Sequence, residues 1–105
     1  MLAKVKTEIG SVIYEFTIDE KSEIDTLHKV AVLGNPPKFC HVCNNVDPRR
    51  FKLDSNKDKE GNTYVNVVCQ IPGCYAKAKL GLYKTGGFFW HKFVKFEKKE
   101  TETLL

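Results

Sequence analysis

The four cysteines of this chain fall into two close pairs, and that spacing constrains the fold more than any other feature. Cys40 and Cys43 enclose two residues in Cys-His-Val-Cys. Cys69 and Cys74 enclose four in Cys-Gln-Ile-Pro-Gly-Cys, and 25 residues separate the pairs. A C-x2-C turn holds two thiolates on one side of the chain, and two such turns brought together make a tetrahedron of sulfur. Zn²⁺ suits four thiolates best among common ions, at roughly 2.3 Å per bond, and a four-sulfur shell leaves no open position for chemistry. The spacing therefore predicts one structural Zn²⁺ held by Cys40, Cys43, Cys69 and Cys74. The four-residue gap in the second pair is longer than usual for such a turn. His41 could replace one cysteine as ligand, but with four thiols available it is expected outside the shell.

Other uses of the cysteines fit less well. Disulfides call for an oxidising compartment, yet Met1 to Gly10 carries Lys4, Lys6 and Glu8 where a signal peptide needs an unbroken apolar run. A redox C-x-x-C centre calls for one pair beside a βαβ unit, not two pairs flanking apparent strands. Four unrelated buried cysteines, or an iron site, are the remaining alternatives.

A chain of 105 residues is one ordinary domain, or one domain with a small elaboration. With 42% hydrophobic and 29% charged residues it reads as globular, and no apolar run approaches the roughly 20 residues that span a bilayer. A cytoplasmic protein without membrane contact is expected. The formal charge is +4, but four thiolates around a dication would lower it by two. Its distribution is more informative. Up to Gly34 there are four Lys against six acidic residues, and from Asn35 onward 13 Lys or Arg against seven. Positive charge travels with the cysteines.

Leu2 to Ile9 and Ser11 to Ile18 alternate apolar and polar residues around Gly10, which predicts a β-hairpin with Val12, Tyr14, Phe16 and Ile18 on one face. Asp19 or Ser22 can cap a helix, and Ser22 with Asp25 resembles a capping box; Ile24, Leu27 and Ala31, with Val30 on the flank, recur at helical spacing, and Gly34 closes the helix. His28 lies beside that stripe as a surface or packing histidine. Asn35-Pro36-Pro37 forms a stiff joint. Strands are then predicted over Arg49 to Asp54 and Thr63 to Cys69, with a turn from Ser55 to Asn62. Two more run from Tyr75 to Lys84 and, after Thr85-Gly86-Gly87, from Phe88 to Phe96. The expected class is α+β: a β-β-α element over 1–37 packed on an antiparallel four-stranded sheet over 38–97, with a frayed tail over 98–105.

Paired cysteine knuckles at the end of a small antiparallel sheet resemble the zinc-ribbon group, over Phe39 to about Phe96. The β-β-α lead, the Asn35-Pro36-Pro37 joint and the Lys84-Thr85-Gly86-Gly87-Phe88-Phe89-Trp90 hairpin together resemble small bacteriophage proteins proposed to bind single-stranded DNA beside recombination genes. That resemblance implies a role in replication or recombination.

The residues themselves point the same way. In a strand, alternate side chains share a face. From Tyr75 onward Ala76, Ala78, Leu80 and Leu82 form a core side. Tyr75, Lys77, Lys79, Gly81 and Tyr83 form a basic side with an aromatic at each end, suited to phosphates and unpaired bases. Gly81 would let a base approach closely. Arg49, Arg50 and Lys52 add charge near the first knuckle, although the arginines could instead brace the turn after Asp47-Pro48. Lys84, Trp90, His91 and Lys92 add to the face around the hairpin, and of Phe88, Phe89 and Trp90 at least one must point away from the others, where it would stack bases. The bland alternative is a solvated lysine surface with rings that cover the sheet.

Single-stranded DNA, with little sequence preference, is the expected partner. A protein-interaction adaptor using the aromatic hairpin and the helix to bind a larger enzyme is the alternative, and a homodimer fits either. No enzyme and no small-molecule substrate are expected: the thiolates close the metal to water and no Ser/His/Asp or Cys/His set is evident.

Overall fold

The computed structural model describes residues 1–95. The expected end of the last strand at Phe96 and the tail over 98–105 lie outside them. Strands β1 (Leu2–Ile9) and β2 (Val12–Asp19) pair antiparallel in the register Leu2 to Asp19 through Ile9 to Val12. Alternation buries Thr7, Ile9 and Ile18 on one side and leaves Lys4, Lys6 and Glu15 outside. The turn is tight because Gly10 takes φ +66°. It is also pressed against the sheet: a Cβ there would stand 2.3 Å from the Phe51 carbonyl oxygen.

Ser22 caps helix α1 (Glu23–Leu33) by accepting from the Asp25 amide, and the Gly34 N–H closes it by donating to the Val30 carbonyl at 2.8 Å. The cap sits where the sequence predicts it. The buried face does not. Ile24 and Leu27 are 71% and 59% exposed, whereas Thr26 is fully buried with its hydroxyl donating to the Ser22 carbonyl at 3.0 Å. A threonine that satisfies its own hydroxyl one turn back can serve as a core residue. The contact stripe is therefore rotated onto Thr26, Val30 and Leu33, of which the last two are half-buried.

After the Pro36-Pro37 joint and the first cysteine pair, Asp47 caps a 3₁₀ turn (Pro48–Arg50) that feeds β3 (Phe51–Lys57). Strands β4 (Thr63–Cys69), β5 (Lys77–Leu82) and β6 (Phe88–Trp90) follow in an antiparallel meander of order β3-β4-β5-β6. β3 runs past the expected Asp54. Asp58 closes the turn after it, accepting at 2.9 Å from the Glu60 and Asn62 amides, so Ser55, Asn56 and Lys57 still pair with β4.

The last two strands are shorter than predicted, for identifiable reasons. Tyr75 takes φ +52° in the second knuckle and so lies outside the strand alternation. β6 ends in a bulge: His91 donates to the Lys79 carbonyl, but the next pairing joins Lys77 to Val94, so that Lys92 and Phe93 oppose Ala78 alone. The extra residue turns Phe93 inward, 5.6 Å from the Phe51 ring, where simple alternation would have placed it outside. Ile9, Phe51, Val67, Cys69, Ala76, Ala78 and Phe93 form the buried core with Cys40 and Cys74. Leu82, expected there, ends β5 at 70% exposure.

The β-β-α element packs on the inner face of the sheet. Trp90 Nε1 donates to the Val32 carbonyl at 2.8 Å, and the Lys29 ammonium lies 5.0 Å from the Phe88 ring centre. His28 Nε2 meets Phe88 at its carbonyl oxygen (2.9 Å) and its amide nitrogen (3.1 Å), bearing out a packing role for this histidine.

Candidate metal centre and outer sheet face

Each cysteine pair is built by a backbone device that returns the chain to the same point. In the first, Asn44 at φ +63° reverses the chain so that the Cys40 amide donates to the Asn45 carbonyl at 3.0 Å. In the second, the longer gap is filled by a turn over Ile71, Pro72, Gly73 and Cys74. Gly73 stands at φ +87°, and the Cys74 amide donates to the Ile71 carbonyl at 2.9 Å. Proline followed by a left-handed glycine is the composition of a type II turn. Cys69 then donates from its amide to the Ala76 carbonyl, which closes the knuckle.

All four sulfurs lie within 4.8 Å of one another. Cys40 Sγ stands 3.7 Å from Cys74 Sγ, and Cys43 Sγ stands 3.6 Å from Cys69 Sγ. A tetrahedral ion with bonds of roughly 2.3 Å would separate its sulfurs by about 3.8 Å. The set therefore fits one metal ion, and each pair of close sulfurs joins one cysteine from each knuckle. No cysteine is in a disulfide.

The electrostatics of the bare thiols also favour a cation. Burial pushes the Cys40 thiol up, and burial together with the neighbouring Cys69 and Cys74 sulfurs pushes Cys43 up to about 12. Burial opposes ionisation at Cys74 as well, but the Ala76 N–H and the surrounding thiols bring it below its ordinary value. Ionisation is accommodated at Cys74 and suppressed at Cys40 and Cys43. A dication at the centre would let all four ionise. Backbone N–H groups of Val42 and Cys43 serve Cys40, and that of Asn45 serves Cys43. Asn45, itself buried, donates from Nδ2 to Cys69 Sγ at 3.5 Å while its Oδ1 accepts from the Asp47 amide at 2.9 Å. Asn45 went unnoticed in the sequence because an asparagine after a cysteine reads only as a turn former. His41 is exposed, away from a complete set of four thiols.

The face of the sheet opposite the β-β-α element carries the basic residues. Cross-strand pairing sets Lys52, Val68 and Lys77 in one row and Asp54, Asn66 and Lys79 in the next. Lys52 and Lys79 are exposed and Lys77 is half-buried. Lys79 Nζ lies 5.6 Å from the centre of the Tyr64 ring. Gly81 pairs with Phe89, so of the three adjacent rings it is Phe89 that looks outward, while Phe88 and Trp90 face the helix. Phe89 packs at a tilt against both Tyr83 and His91, with ring centres 4.7 Å away in each case.

The candidate binding residues are thus only partly brought together. Lys52, Lys77 and Lys79 share the outer face, with Tyr83 just past the end of β5. Tyr75 is exposed but belongs to the knuckle turn. Arg49 and Arg50 are exposed on the 3₁₀ turn, and the Arg49 guanidinium hydrogen-bonds Asp47, which holds that carboxyl below its ordinary value. Lys84 and Lys92 are exposed at the ends of the last hairpin. Trp90 is half-buried between sheet and helix. Gly81 is not open ground for a ligand: the Phe89 and His91 rings already lie over it. Tyr64 joins the face although no sequence reading named it there; His91 was expected there with the hairpin, and of the three adjacent rings Phe89 takes the outward place. Alternation in β4 and β6 left open which side was outward.

Comparison with protein-family models, with curated proteins and with solved structures returns no match to this chain. No helix among the described residues is long and apolar enough to cross a membrane.

Proposed function

We propose that this chain is a zinc-held nucleic-acid-binding module that takes single-stranded DNA on the outer face of its sheet, with little sequence preference. The observation that carries it is the juxtaposition of Lys52, Lys77 and Lys79 with outward aromatic rings on neighbouring strands. Lysines neutralise phosphates without reading sequence, and rings stack on any base. The resemblance of the hairpin and joint to small bacteriophage proteins extends this to replication or recombination. Zn²⁺ is the ion of choice for four thiolates, and its part is to hold the sheet, not to act on a substrate.

Fluorescence anisotropy with a labelled oligonucleotide tests the proposal. Affinity should fall steeply with salt and be lost in Lys77→Glu/Lys79→Glu. Unchanged titrations in that double variant would remove it.

An adaptor role is favoured by a different observation, the exposure of Ile24 and Leu27 on the outer side of α1. Phe88 and Trp90 are engaged by the helix, so the helix and not the hairpin would supply that contact. A partner retained after nuclease treatment and lost in Leu27→Glu would support it.

A further inference from the structure

A groove of about 760 Å³ crosses the outer face, and nothing above assigns it. One wall is Tyr64 on β4; the other is Phe89 and His91 on β6, whose rings lean over Gly81; Lys79 on β5 lies between the walls. Both walls are braced. Phe89 is held by tilted contacts with Tyr83 and His91 at interplanar angles of 45° and 55°. The Tyr64 hydroxyl donates to Asp58 Oδ2 at 3.0 Å. The glycine is required: a Cβ at position 81 would stand 2.6 Å from Phe89 Cζ and 2.7 Å from His91 Nε2, so only bare backbone lets those rings lean across β5.

We propose that this groove seats an unpaired base of a single strand, flat between the Tyr64 ring and the Phe89–His91 wall. The inference rests on the nucleic-acid reading and adds the site that would make it selective for single strands. Charge fixes how the strand lies. The Asp58 carboxylate, held below its ordinary value by hydrogen bonds from the Asn62 side chain and amide, repels phosphate at one end. The backbone therefore leaves past Lys79 and Lys77. A base that enters displaces the Lys79 ammonium from the Tyr64 ring and frees it for a phosphate. A duplex, whose bases are paired inside, presents no free face to two rings and meets only the lysines.

The test uses the full metal-loaded chain, a labelled oligothymidylate of about 12 nucleotides, within the span of a small binding domain, and a duplex of equal length. Phe89→Leu and Tyr64→Leu keep apolar bulk and remove the ring face, and retained metal and circular dichroism confirm that each variant folds. Each should weaken single-strand binding by roughly tenfold. The slope of log affinity against log salt should not change, because no phosphate contact is lost. Leucine variants that bind like the parent, while Lys77→Glu/Lys79→Glu loses binding, would overturn the base seat and leave the wider reading standing. Equal losses on single strand and duplex would also overturn it. No binding of any oligonucleotide by the parent would overturn both.

Discussion

At the scale of single residues, two positions outside the cysteine motif control the assembly. Gly10 combines a left-handed backbone with a carbonyl 2.3 Å from where a Cβ would sit. Left-handed backbone costs an L-residue about 1–2 kcal/mol, and the clash adds to it. Gly10→Ala should therefore lower the unfolding free energy of the metal-loaded chain by about 2 kcal/mol or more, read as a lower urea midpoint at unchanged slope. Asn45 holds Cys69 Sγ with one end of its amide and the Asp47 backbone with the other. Partners that orient ligands typically govern metal affinity by 10- to 100-fold, so Asn45→Ala should lose its ion to a chromophoric chelator about tenfold more readily. The cysteines were legible because their chemistry demands a spacing. Asn45 was not, because its role depends on which sulfur the fold brings to it.

Among the elements, strands and cap were readable and faces only in part. Ser22, Asp25 and Gly34 announce helix α1 by local hydrogen bonding, so its ends needed no tertiary information. Its orientation did. Hydrophobicity chose Ile24 and Leu27, while packing chose Thr26, a residue able to satisfy its hydroxyl within its own helix. Leu27→Glu should accordingly change stability by less than about 0.5 kcal/mol. Leu33→Ala, on the packed side, should cost about 1 kcal/mol or more, measured by denaturant titration of the loaded protein. In β6 the bulge between His91 and Val94 reverses the inward and outward sense within three residues, and no periodicity in Phe88 to Val94 encodes that. The pairing with β5 before the bulge determines which ring faces out: Phe89, opposite Gly81, and not Trp90, whose indole is tied to Val32. Trp90→Phe removes that bond and should cost about 1 kcal/mol, seen as a lower thermal midpoint.

For the molecule as a whole, an ion held by the four thiols would be the largest single term. Structural zinc in small sites contributes on the order of 10 kcal/mol, comparable to the entire stability of an ordinary domain. Chelation should unfold at least the sheet half, checked by native mass together with circular dichroism. Acid should do the same by mass action. Cys43, pushed up to about 12 without an ion, carries its proton at neutral pH in the free site and must lose it in the loaded one. Binding therefore releases protons, and affinity falls as pH falls, by about tenfold per unit for each proton displaced. Metal retention measured against a competing chelator from neutral to acidic pH reads that slope directly. The overall α+β layout followed from turn chemistry and alternation. The joining of its halves rests on contacts far apart in the chain, such as Gly10 with Phe51 and Trp90 with Val32.

The turn through Pro72 and Gly73 lies between β4 and β5, and its length is set by two sulfurs that must arrive together. A strand repeats every two residues, so a slip of one between these neighbours would send Lys77 and Lys79 into the core and Ala78 out to solvent. Only one alignment lets Cys69 and Cys74 grip a common centre. The knuckle is thus a ratchet against misalignment, and it dictates which side of the sheet is wet.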